Sequence, residues 1–182
     1  LILFISLSII WGTPYLFIRV AVASVEPSVM VALRVGLAAL LLLPIAIARG
    51  QMRGLRPYLP WILVFGIVEI TGPFLMLGYA ETELSSSTTA LLIAAVPIVA
   101  AVLARSFGLD RHLGCLRILG LGIGVAGVAV LVGLDIPRDH LWAVAAAALT
   151  VVGYAFGPIV ISTRLQGAPD LAVIAIALSF NA

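Results

Sequence analysis

The chain of 182 residues is 63% hydrophobic and 10% charged, with a mean hydropathy of +1.26. A soluble domain of this length has too little interior to hide so much apolar surface, which leaves an integral membrane protein. The formal charge of +2 says little as a total; its placement matters, since all ten cationic side chains are Arg.

A spanning segment must satisfy its own backbone, either as a helix or within a closed barrel. The apolar runs here last about twenty residues without strict alternation, which is the helical case. One thiol, Cys115, excludes an intrachain disulfide, and the isolated His112 and His140 form no metal-ligand spacing. The sequence opens at Leu1 and stops at Ala182 within an apolar run, so it reads as a fragment. Its first segment lacks a basic flank and is not expected to be a cleaved leader.

The first predicted helix runs from about Leu1 to Ser24 and ends at Glu26-Pro27. It contains Trp11-Gly12-Thr13-Pro14, where Pro14 leaves the carbonyl of Ile10 without its helical donor. Trp11 lies too deep for an interfacial belt; it is either ordinary packing or the aromatic wall of a cavity. The second helix runs Ser28 to Ala48 and is followed by Arg49, Arg53 and Arg56. Arg19 and Arg34 lie on these two helices at equal depth, ~9 Å below the outer surface. Each either snorkels outward, to Glu26 or to headgroups, or belongs to a basic ring at the mouth of a pathway.

The third helix, Trp61 to Ala80, is the centre of the argument. Glu69 is read as the one carboxylate near mid-membrane, where a charge costs several kcal/mol unless it faces a partner, a polar interior or a proton. Pro73, four residues on, has no N–H for the Glu69 carbonyl and predicts a kink. On α-helical spacing Gly66, Glu69, Gly72, Pro73, Met76 and Tyr79 share one side, a small and polar stripe expected to face a central cavity.

The fourth helix opens on Ser85, Ser86, Ser87, Thr88 and Thr89, hydroxyls suited to capping, and continues to Phe107 with Pro97 inside. The fifth ends near Leu134. Its Gly122, Gly124 and Gly127 form a G-x-G-x-x-G, but no strand precedes it and no acid follows at the right distance, so a dinucleotide site is rejected. Gly120-x-x-x-Gly124 as a close helix contact explains the glycines better. A polar loop spans Asp135 to His140. The sixth helix, Leu141 to Arg164, places Thr150, Gly153, Tyr154, Gly157 and Pro158 on one face, and a seventh begins near Asp170. Pro14, Pro73, Pro97 and Pro158 thus stand inside their helices, a pattern tolerated where broken helices border protein or a water-filled cavity.

Alternate loops divide the arginines unequally. One set holds Arg49, Arg53, Arg56, Arg105, Arg111, Arg117 and Arg164; the other holds Arg138, with Glu26, Glu81, Glu83, Asp135 and Asp139. The first set is expected to be cytoplasmic, together with the N-terminus. Trp61 and Trp142 stand at segment starts, as an interfacial belt would have them. No nucleophile–base pair, metal-ligand spacing or phosphate loop is present, so neither an enzyme, a cofactor nor a nucleic-acid partner is expected.

WGTPYLFIRVAV in the first helix, Glu26-Pro27, LRVGLAALLLLP from Leu33, GYAETELSSSTTALLIAAVPIVAAVLA from Gly78 and LGLGIGVAGVAVLVG from Leu119 resemble the EamA-type drug/metabolite transporters. The resemblance spans nearly the whole chain. It implies ten helices in two five-helix repeats around a central cavity, usually exporting small metabolites. On that pattern residues 1–134 are the first repeat and 141–182 the start of the second, inverted because each repeat has an odd number of helices. The family often has a Glu after its fourth helix, where this chain has Arg105-Ser106-Phe107. The sequence has its own loose echo, Gly12, Pro14, Arg19 and Pro27 against Gly157, Pro158, Arg164 and Pro169.

The expectation is therefore an all-α polytopic bundle of a bacterial inner membrane, a secondary-active exporter of small metabolites or drugs. Glu69 is expected to carry proton coupling or substrate contact, with Trp11, Pro14, Arg34, Tyr79, Pro97 and Tyr154 along the pathway. One acid among several aromatics suits cationic, aromatic or zwitterionic molecules alike. The expected partners are that small molecule, protons, the lipid bilayer and a second copy in a homodimer. The rival reading is a non-transporting membrane scaffold or assembly protein, which leaves Glu69 and the repeated prolines without a purpose.

Overall fold

The structure is a computed structural model that describes residues 2–109, 114, 116, 119–124, 126, 127, 130 and 140–182. The described residues form helices and turns and contain no strand. The helices are α1 (Ile2–Val22), α2 (Pro27–Ala48), α3 (Leu59–Phe65), α4 (Gly72–Glu83), α5 (Ser86–Ile93), α6 (Val96–Ser106), α7 (Leu141–Arg164) and α8 (Asp170–Phe180). A 3-10 turn, Arg56–Tyr58, leads into α3, and a π-helical segment, Gly66–Thr71, joins α3 to α4. Among the described residues five spans are long and apolar enough to cross a bilayer: Ile5–Val22, Pro27–Ala48, Arg56–Glu83, Ser86–Ser106 and Leu141–Arg164. Arg111, Cys115, Arg117 and the polar loop from Asp135 to Asp139 lie outside the described residues, as do Ile118, Val125, Val128, Ala129 and residues 131–134 of the predicted fifth helix.

The helix ends follow from local chemistry. Ser85 caps α5, its Oγ accepting the Thr88 N–H at 3.1 Å. Two C-termini close in the same way: Gly50 and Gly108 take positive φ (67° and 70°), a region open to glycine without a Cβ clash. That reversal lets the Gln51 N–H reach the Ala46 carbonyl and the Leu109 N–H reach that of Ala104, satisfying carbonyls that α2 and α6 would leave unpaired.

Two of the spans are broken. The third was expected as one helix, but Gly72 donates its N–H to Ile67 O, five residues back, so the chain widens into a π turn before continuing. Pro73 supplies the reason: it cannot donate to the Glu69 carbonyl, and its ring crowds that oxygen. The fourth span stops at Ala94 and Ala95 and tightens instead. Ala95 N–H bonds to Leu92 O and Ile98 N–H to Ala95 O, each three residues back, just ahead of Pro97.

α7 packs across both broken spans, and α8 packs against α2 and α3. The main core joins Val35 and Ala39 of α2, Ile62 and Phe65 of α3, and Val173 and Ala177 of α8. Ala80 and Leu84 meet Ala143, Ala146 and Ala147 of α7, small residues that let helix backbones approach where hydrocarbon offers no hydrophobic drive. A Cβ at Gly124 would meet Ile98 Cδ1 at 3.4 Å, and one at Gly120 or Gly122 would meet nothing within 4 Å among the described residues. Large apolar residues of α1 and α2, such as Ile9, Leu16, Phe17, Leu37 and Leu40, are exposed, as a lipid-facing surface requires.

Both ends of the bundle are tied by polar contacts. His140 Nδ1 lies 3.0 Å from Glu83 Oε2, joining the start of α7 to the end of α4. At the other end the Arg164 guanidinium lies 4.4 Å from the centroid of the Trp61 ring.

Candidate functional site

A cavity of about 750 Å³ opens between α1, α2, the π segment, α4, the α5–α6 break and α7. Each break contributes a wall. The π segment and α4 supply Glu69, Ile70 and Phe74; the α5–α6 junction supplies Ala90, Ile93, Ala94, Val96 and Pro97. Trp11 and Tyr15 come from α1, Arg34 from α2, and Tyr154 and Pro158 from α7.

Of the residues singled out from sequence, the cavity thus brings together Glu69, Trp11, Arg34, Pro97 and Tyr154. Pro14 is not on its wall; it lines a separate hollow of about 310 Å³ with Phe17, Ile18, Met30 and Arg34. Tyr79 is exposed on α4 and lines neither. The expected stripe is also dispersed. A Cβ on Gly66 would run into Asn181, just past the end of α8, and one on Gly72 would meet Ile67 O at 2.9 Å, while Phe74 and Ile70, which are not part of that stripe, face the cavity. The cause is the π turn, which changes the angular step between residues on either side of it.

The seat of Glu69 is defined by α7. A Cβ on Gly157 would overlap the Glu69 carboxyl, and one on Gly153 would come within 2.5 Å of Pro73 Cγ and Val68 O. Two glycines four residues apart therefore bring the α7 backbone directly onto the π turn. Thr150, one turn earlier and fully buried, has its Oγ1 3.2 Å from Pro73 O and 3.1 Å from Ala146 O. Glu69 Oε2 is buried and has no hydrogen-bond partner among the described residues. Along the same cavity Arg34 lies over Phe74, and Phe74 meets Tyr154 edge to face with centroids 6.5 Å apart.

Arg19 does not join Arg34. Its Nη1 donates to the carbonyls of Glu81 and, at 3.2 Å, Leu84, the unpaired oxygens at the C-terminus of α4. This arrangement differs from both sequence alternatives for Arg19, snorkelling outward to Glu26 or headgroups and a basic ring at the mouth of a pathway. A cation there also complements the negative end of the helix dipole. Glu81 itself corrects the sequence reading, which counted it with the outer loop acids. Because α4 runs on to Glu83, Glu81 falls within the last turn and is fully buried. Ser86 Oγ lies 3.4 Å from Glu81 Oε2 and 3.2 Å from the Tyr15 carbonyl oxygen, sharing one proton between two acceptors.

Sequence reasoning missed Tyr15, Phe74 and, apart from Pro97, the α5–α6 residues. Tyr15 was within reach, since it stands four residues after Trp11 and so on the same helix face.

A model of the EamA-like transporter family matches residues 1–133. The chain belongs to that family. It is 28% identical over 155 residues to a protein of Escherichia coli strain K12 named "Uncharacterized inner membrane transporter YedA", covering 85% of this chain and 50% of the relative. It is 30% identical over 128 residues to Protein PagO of Salmonella typhimurium strain LT2, covering 70% of this chain and 42% of PagO. The chain thus spans about half the length of the curated relatives it matches. No solved structure matches it. With five spans among the described residues long and apolar enough to cross a bilayer and an inner-membrane relative, it is a multi-pass protein of the inner membrane.

Proposed function

We propose that this chain forms part of a secondary-active transporter that exports small metabolites or drugs through the cavity between α1, α2, α4, α6 and α7. One observation carries the reading: two independently broken spans, one widened at Gly66–Thr71 and one tightened at Ala94–Ala95, both turn their irregular segments onto the same cavity. Irregular backbone at membrane depth is stable where it borders protein or water, and substrate sites of secondary transporters use such breaks. A packing scaffold has no need for either.

Within this reading Glu69 contacts the substrate or carries the coupled proton, Arg34 supplies the opposing charge, and Trp11, Tyr15, Phe74 and Tyr154 provide apolar and aromatic surface. Residues 1–134 form the first repeat and 141–182 open the second, with the Arg-rich loops cytoplasmic.

The test is flux in proteoliposomes carrying the full-length protein, scanned with a panel of cationic, aromatic and zwitterionic metabolites. Glu69→Gln keeps the side-chain shape and removes its titration. Efflux driven by an imposed pH gradient should be lost, while exchange without a gradient persists. A Glu69→Gln protein with wild-type flux and the same response to the gradient would remove Glu69 from the coupling role.

A further inference from the structure

We infer that Gly157 is a positioning residue for Glu69: the bare backbone of α7 at that point is the seat that holds the carboxyl group back from the open cavity. The inference rests on the role proposed above for Glu69, but its evidence is separate. A Cβ at Gly157 would overlap Oε2 of Glu69 and come within 3.0 Å of its Cβ, so the side chain lies along the α7 surface from its root to its tip. Oε2 is buried there and has no hydrogen-bond partner among the described residues. A carboxyl oxygen so placed loses its solvation without a replacement, which makes the seat a position the group leaves when a better partner enters. The route out is short, because Glu69 already borders the cavity, as do the α7 residues on either side of this face, Tyr154 and Pro158.

The neighbouring contacts fix the seat in place. Gly153 receives Pro73, and Thr150 holds the Pro73 carbonyl, so α7 cannot draw back from the π turn to make room for a larger residue at 157. Any added methyl group must displace the carboxyl instead. α7 also lies beyond residues 1–133, the segment that matches the family model, while Glu69 lies within it. Movement of α7 against the first segment would therefore change how far the carboxyl reaches.

The test uses size compensation in the full-length protein, in a Cys115→Ser background with a single reporter, Ala94→Cys, on the facing wall. The rate of modification by a cationic methanethiosulfonate reagent is divided by that for an anionic one, which reports negative charge inside the cavity. Gly157→Ala should push Glu69 into the cavity and raise this ratio about threefold or more. Adding Glu69→Gln should cancel the rise. Glu69→Asp, shorter by one methylene, should make room for the methyl and restore the parent ratio. Thermal unfolding of the same proteins in detergent gives a second reading: Gly157→Ala lowers the midpoint and Glu69→Asp recovers part of the loss. A ratio unmoved by Gly157→Ala, or losses of the two single variants that simply add, would overturn the inference. Normal compensation alongside unaffected flux in Glu69→Gln would leave the seat standing and remove the transport role instead.

Discussion

The guanidinium of Arg34 lies 4.3 Å from the centroid of the Phe74 ring, tying α2 to the first turn of α4 across the cavity wall. A cation over an aromatic face is attracted by the ring quadrupole, with about 0.5–2 kcal/mol expected depending on how much water is excluded. Arg34→Gln and Phe74→Leu should each lower the unfolding midpoint. Combined, they should cost less than the sum of the two, because the second change removes a partner already lost. Strict additivity in a double-mutant cycle would show that the ring contributes packing alone.

The π turn makes a directional prediction about accessibility. Single cysteines at Ile70, Phe74 and Ile93, in a Cys115→Ser background, should react with a small water-soluble thiol reagent. Cysteines at Gly66 and Gly72 should react at least about tenfold more slowly where the protein tolerates them, since these positions face Asn181 and the Ile67 carbonyl. The reverse order of rates would restore the stripe that uninterrupted α-helical spacing predicts.

Arg19 anchors the end of α4 by donating to two of its terminal carbonyls. Arg19→Gln should destabilise the protein by about 1–2 kcal/mol, the cost of two charge-assisted bonds discounted for partial exposure. Arg19→Lys, a point charge without the planar fork, should recover only part of it. The measurement is thermal unfolding in detergent; an unchanged midpoint for Arg19→Gln would mean that water satisfies those carbonyls equally well.

Much of this architecture can be read from residue order. Apolar runs of bilayer length give the spans, Glu26-Pro27 and the Ser85 cap mark two turns, and Pro73 and Pro97 announce the breaks. What a proline does not announce is the form its break takes. Pro73 widens the helix into a π turn, whereas Pro97 follows a tightened one, and only the first redistributes faces. That is why Phe74 and Gly66 fall on sides opposite to those expected, although Glu69, inside the turn, keeps its place at the cavity. Glu81 was illegible for another reason. Near a span's end a carboxylate reads as a loop residue, and its burial depends on Ser86 and Arg19, contributed by other helices. The pairing of Gly157 with Glu69 is a tertiary fact, carried by two residues 88 positions apart that share no local pattern.

The π segment also fixes the phase between two halves of a single span. Before it, Ile62 and Phe65 mesh with the core shared by α2 and α8; after it, Leu77 and Ala80 mesh with clusters that include α7. An α-helix advances ~100° per residue, so deleting one residue between Gly66 and Thr71 would relax the turn to α geometry and rotate one half by about that angle against the other. One of the two sets of teeth would then be turned out toward lipid. The number of residues in this short stretch is therefore constrained as tightly as the identities of Gly66 and Glu69, whereas an exposed position such as Ile67 accepts changes of side chain far more readily.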